Sequence, residues 1–159
     1  MPQRHPALIP LASDHYNGLT LALRLQQGTQ APASMWSNDS KFQAGYVVSF
    51  FEKELRHHFD VEEKALFPLV IQHIVDARTL VDELIADHRT MEQSVRKLCE
   101  TNPSTLAREL NEFGKLLEQH IRKEDRQLFP LFESRAPADV LEKAVKEVRE
   151  YYPANSVRP

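Results

Sequence analysis

Apolar residues recur along this chain at intervals of three and four, the spacing of one helical face, in four long stretches and one shorter one. Leu11, His15, Leu19, Ala22 and Leu25 mark a helix that should start at Ser13 or Asp14, either of which can cap it, and end near Gly28. Val47, Phe50 or Phe51, Leu55, His58, Glu62 and Leu66 mark a second, from about Ser40 toward Pro68. Leu80, Leu84, His88, Met91, Val95 and Leu98 lie on a third, from about Arg78 to Glu100, with Asp76 as its cap. The fourth, from about Ser104 to Ser134, carries Leu106, Leu110, Phe113, Leu117, His120, Glu124, Leu128 and Leu131, and Pro130 should bend or end it. A last helix, about Ala138 to Tyr152 with Pro137 as its first residue, carries Leu141, Val145, Val148 and Tyr152.

Between these stretches the signals are those of connections. Pro2, Pro6 and Pro10 predict an extended arm over residues 1–12, GTQAPASMWSND a long link anchored by Trp36, TNPS a short turn, and residues 153–159 a loose tail. Four amphipathic helices bury their stripes most simply against one another. The expected fold is therefore all-α: an antiparallel up-down-up-down four-helix bundle over about 13–134, with the extended N-terminal arm and an additional C-terminal helix over about 138–152. That last helix would cover the bundle end or form a homodimer contact. The whole chain, 1–159, reads as a single domain.

Composition narrows the partners. Only four glycines in 159 residues and abundant Leu, Ala, Glu, Lys and Arg favour helices. The net charge of −3 is spread through interspersed signs, so no basic stripe is available for nucleic acid or a membrane surface. No apolar run reaches the roughly 20 residues of a membrane span, and MPQRHPALIP lacks the apolar core of a signal peptide, so a cytoplasmic protein is expected. Cys99 is the one cysteine, a small packed residue or a surface thiol, so any metal must be held by imidazole and carboxylate.

The stripes are interrupted by polar residues at positions that face the core: His15, His58 with Glu62, His88, and His120 with Glu124. An unpaired carboxylate in an apolar interior costs several kcal/mol or takes up a proton. No Lys or Arg lies on these stripes, so a bound cation is the expected compensation. Residues four apart share a helical face, so each His–Glu pair can ligate at neighbouring depths. The pairs also sit in a repeat: HFDVEEKALFP over 58–68 and HIRKEDRQLFP over 120–130, preceded by Asp14-His15 and Asp87-His88. This is the pattern of a duplicated helix pair whose copies face each other across the bundle axis.

Other candidates are weaker individually. His57 points about 100° away from His58 and is a substitute ligand only if the register shifts by one. Glu92, four residues after His88, competes with Met91 for the inner face, Tyr16 would approach the pocket from beside His15, and Glu63 is a further carboxylate whose turn should face sideways. His5 and His73 should face solvent. Phe42, Tyr46, Phe50, Phe51 and Phe59 read as core, and the run EKELRHHFDVEEK as a solvated face with pairs such as Glu52–Arg56.

The two HxxxE segments ending in Leu-Phe-Pro, with single histidines on the preceding helices, resemble the hemerythrin-like HHE cation-binding domains from about Leu11 to Leu131. The resemblance implies a non-haem iron pair inside a four-helix bundle, with His15, His58, Glu62, His88, His120 and Glu124 as ligands. Two six-coordinate irons offer about twelve positions; four imidazoles, two bridging carboxylates and a bridging oxo or hydroxo group leave about two open for a small ligand. Manganese or zinc also suit such a donor set. The oxygen-carrying hemerythrins place two histidines four apart on the third helix, whereas this chain has Leu84 and Glu92 around His88, which argues against simple reversible dioxygen carriage. The expected function is a diiron protein that binds or senses dioxygen, nitric oxide or iron itself. The alternative is a diiron oxidoreductase acting on nitric oxide or peroxide, or an iron–sulfur cluster repair factor; similar repair proteins carry an added cysteine-bearing N-terminal domain, which ranks this reading second.

Overall fold

The computed structural model describes residues 3–26 and 35–153, which are helical with no strand among them. Five helices result. Helix α1 is Ile9–Leu25. Helix α2 is a continuous rod in which the α-segments Ser40–Phe50, Arg56–Val61 and Phe67–His73 alternate with π-turns Phe51–Leu55 and Glu62–Leu66. After a 3-10 turn, Val75–Ala77, α3 covers Arg78–Leu98. Helix α4 joins Pro103–Lys123, a π-turn Glu124–Leu128 and Phe129–Arg135, and α5 is Ala138–Arg149. No described helix is long and apolar enough to cross a membrane.

Several boundaries differ from expectation for identifiable reasons. Helix α1 starts at Ile9, so Pro10 falls in the first turn where its missing N–H is harmless, and Ser13 and Asp14 lie inside the helix rather than capping it. The extended arm is correspondingly short: Leu8 N–H bonds to His5 O, Ala7 and Leu8 are buried, and Arg4 pairs with Glu133. The expected end of α1 at Gly28 lies outside the described residues; Trp36 is buried as anticipated. Asp76 does not cap α3 but pairs with Arg135, and Pro137 precedes α5 in extended conformation instead of opening it.

Neither Leu-Phe-Pro ends its helix. In both copies a π-turn starts at the glutamate, and the phenylalanine N–H reaches back five residues, Phe67 to Glu62 O and Phe129 to Glu124 O. The proline then occupies the first turn of a fresh α-segment, so α2 continues to His73 and α4 to Arg135.

The buried residues form two apolar clusters. One contains Leu11, Leu66, Phe67, Leu84, Leu128 and Phe129; the other contains Leu21, Ala22, Leu55, Phe59, Met91, Leu117 and Ile121. Each of α1 to α4 contributes to both, and the polar interruptions of its stripe fall between the two contributions. Small register shifts refine the stripes: Gly18 and Leu21 are buried where Leu19 is only partly so, as are Val81 beside Leu80, Phe51 beside Phe50 and Phe132 beside Leu131. On α5 the buried face is Val140, Ala144 and Val148, which joins the first cluster along the Glu62–Leu66 turn. Phe42 and Tyr46 are not core: they lie at the surface, edge-on to the buried Trp36. Cys99 is an exposed thiol.

Helix α4 lies against α1 at Gly114, where an added Cβ would lie 2.7 Å from Ala22 O and 2.9 Å from Leu25 Cβ. Gly45, exposed on α2, has nothing within 4 Å. The two glycines should therefore respond oppositely to alanine. Gly114→Ala is expected to destabilise by about 1–3 kcal/mol through overpacking, and Gly45→Ala to stabilise by about 0.5–1 kcal/mol through helix propensity. Denaturant midpoints of the two variants check the contrast.

Candidate metal centre

Between the apolar clusters lie the six polar residues that interrupt the stripes. His15, His58, Glu62, His88, His120 and Glu124 are all buried, with both glutamates at 0 % exposure. Their inner atoms converge. His15 Nε2 is 3.2 Å from His58 Nε2, and His88 Nε2 is 3.2 Å from His120 Nε2. Glu62 reaches His88 Nε2 at 3.2 Å with Oε1 and His58 Nε2 at 3.4 Å with Oε2. Glu124 Oε1 stands 3.1 Å from His15 Nε2 and 3.3 Å from His120 Nε2. The result is two quartets, His15/His58/Glu62/Glu124 and Glu62/His88/His120/Glu124, in each of which the donor atoms lie within 4.8 Å of one another.

The orientation of each imidazole is fixed from outside. Nδ1 of His58 faces Asp14 Oδ2 at 2.9 Å, Nδ1 of His15 faces Asp125 Oδ1 at 2.8 Å, Nδ1 of His88 faces Glu63 Oε2 at 2.7 Å, and Nδ1 of His120 faces Asp87 Oδ2 at 3.1 Å. An ionised carboxylate can only accept, so each Nδ1 donates, and each neutral ring turns the lone pair of Nε2 inward. Stacking completes the clamp. Phe129 lies parallel to His15, and Phe59 and Phe67 both lie against His88. The phenylalanine of each Leu-Phe-Pro thus braces a histidine on a neighbouring helix, while Leu66 and Leu128, both at 0 % exposure, exclude water.

With the rings in that neutral form, four inward lone pairs and two carboxylates leave no donor in the middle for the oxygens of Glu62 and Glu124. Such a cluster is repulsive without a positive charge at its centre. Without an ion, protons on the imidazoles answer the same demand. Burial pulls the His58 imidazolium down, but the charges of Glu62 and Asp14 and their hydrogen bonds outweigh it and hold it well above the ordinary histidine range. For His120, burial is likewise overcome, by Glu124 and Asp87, up to about 9. Burial would raise Glu124, yet His120 and its neighbours keep it well below the usual carboxylate range. The donor set also fits a metal sterically: ligands about 2.1 Å from one ion and at right angles lie about 3 Å apart, close to the spacings seen here.

The remaining candidates fall outside. His57 is exposed and stands edge-on to Tyr152, Tyr16 is 75 % exposed, and Glu92 pairs with Arg89 at the surface. His73 is exposed, whereas His5 uses Nδ1 to accept from Ala7 N–H instead of facing solvent alone. Sequence reasoning named Glu63 only as a further carboxylate and missed the part that all four outer carboxylates play in orienting the histidines. Their signal was present: each precedes a single histidine, as Asp14 and Asp87 do, or follows a ligand-candidate glutamate, as Glu63 and Asp125 do.

Asp87 holds His120 and also accepts from Lys123 Nζ at 3.2 Å. Asp87→Asn should lower divalent-metal affinity about 10- to 100-fold while the helix content is retained. Competition titration against a chromophoric chelator, with circular dichroism on the same samples, measures both.

No curated protein and no solved structure matches this chain significantly. The sequence model of the hemerythrin HHE cation-binding domain matches residues 14–132, which hold all six converging residues, and matches again over 79–151. With that match across most of its length, the chain belongs to the hemerythrin HHE cation-binding domain family.

Proposed function

We propose that this protein is a non-haem diiron protein whose His15, His58, Glu62, His88, His120 and Glu124 hold two iron ions, within one domain whose first four helices run up-down-up-down as an antiparallel bundle. The observation that carries the reading is that the two donor quartets overlap in both buried glutamates. A single ion would leave one pair of imidazoles facing empty space; two ions sharing Glu62 and Glu124 use every inner atom. Charge points the same way. Glu62, Glu124, Asp14, Glu63, Asp87 and Asp125 outnumber the nearby Arg89 and Lys123, which are themselves shared with Glu92 and Glu83, so the cluster calls for more positive charge than one monovalent ion brings.

An iron pair at this position supplies one-electron chemistry and vacant coordination sites for a small ligand. The chain's own residues leave room for one on a single side. A small cavity borders His15, His58 and His120 and is walled by Gly18, Leu117, Phe59 and Ile121. In the duplicated half, the counterpart of Gly18 is Met91 and that of Ile121 is Phe59, both buried, and Phe59 lies directly on His88. The His15/His58 side is therefore the open face, suited to dioxygen, nitric oxide or peroxide. The enclosed apolar setting favours holding a ligand and responding to it over turnover, so binding or sensing is the preferred role. An oxo or hydroxo bridge between the ions would complete their coordination.

Elemental analysis of the chain loaded anaerobically with ferrous iron should give two ions, and Glu124→Leu should give fewer than one. The same variant should keep its helical circular dichroism, so that the lost iron marks the lost ligand rather than unfolding. Two ions retained in Glu124→Leu would refute the assignment. Gly18→Ala tests the open face: its Cβ would lie 2.7 Å from Ile121 Cδ1, a mobile chain end, so folding should survive while the cavity narrows. Stopped-flow mixing of the iron-loaded protein with nitric oxide or azide should show slower adduct formation in Gly18→Ala at unchanged iron content.

A further inference from the structure

Helix α5 packs on one side of the metal centre. Its buried residues Val140, Ala144 and Val148 lie along the π-turn that begins at Glu62. Just beyond its end, the Tyr152 hydroxyl donates to Asp14 Oδ2 at 2.7 Å, and the same oxygen accepts Nδ1–H of His58 at 2.9 Å. The Tyr152 ring also stands edge-on to His57, the residue before His58, with centroids 5.2 Å apart. One carboxylate oxygen therefore joins the end of α5 to an imidazole of the centre.

The equivalent bond in the other half is built differently. Asp87, which holds His120, is completed by Lys123 of the same helix as His120, and Glu63, which holds His88, by Arg89 of the same helix as His88. Asp14 takes its second donor from outside the four helices that carry the centre. Its side chain is 40 % exposed, against 19 % for Asp87 and 21 % for Glu63, so it has the greatest freedom to turn into water. What pins it at His58 is the Tyr152 hydroxyl.

We infer that Tyr152 is a positioning residue for His58, acting through Asp14, and that it couples the docking of α5 to cation occupancy. The inference rests on His58 being a ligand, as proposed above. A pinned Asp14 fixes the tautomer and ring angle of His58 before a cation arrives, so the ordering cost is met in advance and affinity rises. Coupling of this kind is reciprocal: whatever factor docked α5 adds to cation affinity, a bound cation adds to the docking of α5. Residues 140–149 are then the surface element whose stability reports whether the centre is filled.

The test compares the full chain with Tyr152→Phe and, as control, Tyr151→Phe, using ferrous iron alone under anaerobic conditions and zinc for a diamagnetic form. Tyr152→Phe keeps the ring against His57 and removes only the hydroxyl. It should load the same number of ions with affinity lowered about tenfold, and it should lose the extra hydrogen-exchange protection over 140–149 that the parent gains on loading. In the zinc form, the Nδ1–H resonance of His58 should move and exchange faster with water, while those of His15, His88 and His120 stay in place. Unchanged affinity and unchanged protection in Tyr152→Phe overturn the inference, and so does an equal disturbance of all four Nδ1–H resonances, which would mark general loosening. His58→Ala separates the underlying reading: normal loading in that variant removes His58 from the ligand set, whatever Tyr152 does.

Discussion

Glu62 and Glu124 are completely buried on α2 and α4, and while the imidazoles around them are neutral no hydrogen-bond donor reaches any of their four oxygens. A carboxylate in that state costs several kcal/mol unless a positive charge stands beside it, and among the described residues no lysine or arginine is placed to supply it. Arg89 and Lys123 are held one layer out, on Glu63 and Asp87. Those carboxylates, with Asp14 and Asp125, take the Nδ1 hydrogens and so turn every Nε2 lone pair toward the glutamates. The inner layer is negative and rich in lone pairs, the outer layer is partly neutralised, and apolar clusters close the layer on both sides. An ion entering the middle completes an arrangement that the protein alone leaves unsatisfied.

The duplicated helix pair shows why the pattern takes this form. Leu11 and Leu84, Leu25 and Leu98, Leu55 and Leu117, and Phe51 and Phe113 occupy matching places in the two copies, and all are buried. The outer bonds follow the same rule. The acid before the first histidine of each copy holds the second histidine of its own copy, Asp14 to His58 and Asp87 to His120. The acid after each glutamate crosses to the other copy, Asp125 to His15 and Glu63 to His88. Crossed bonds of this kind fix the two copies against each other at the depth of the centre, so that geometry accurate enough for coordination comes from the helices' mutual docking rather than from a loop.

The inner six residues were legible in the sequence because burial and helical spacing are both periodic properties: a histidine or glutamate at a core position of an otherwise apolar stripe stands out. The outer four were not, because Asp14, Glu63, Asp87 and Asp125 occupy the adjoining positions, where acids on an amphipathic helix ordinarily meet water. Only the repeat of Asp-His and of Glu followed by an acid distinguished them. The π-turns at Glu62 and Glu124 were also hidden. A proline in a helical stripe signals a bend or an end, and the sequence carries no separate mark for a π-turn that resets the register so the helix can continue. The one-residue shifts at Leu80, Leu131 and Leu141 have a simpler origin: each has an apolar neighbour that serves the core equally well, so periodicity alone cannot choose between them.

The two copies also differ in what surrounds their histidines. Gly18 and Ile121 border a space that touches His15, His58 and His120, whereas in the matching places Met91 is buried and Phe59 lies directly on His88. The outer carboxylates diverge in the same sense: among the described residues, no lysine or arginine pairs with the side chain of Asp14 or Asp125, while Glu63 and Asp87 each carry one. A carboxylate without a cationic partner pulls harder on its Nδ1 hydrogen and makes the attached imidazole a stronger donor through Nε2. The His15/His58 position is thus both the roomier and the more electron-rich of the two. The symmetric core supplies the stability, and the departures from symmetry give the two halves of the centre different surroundings.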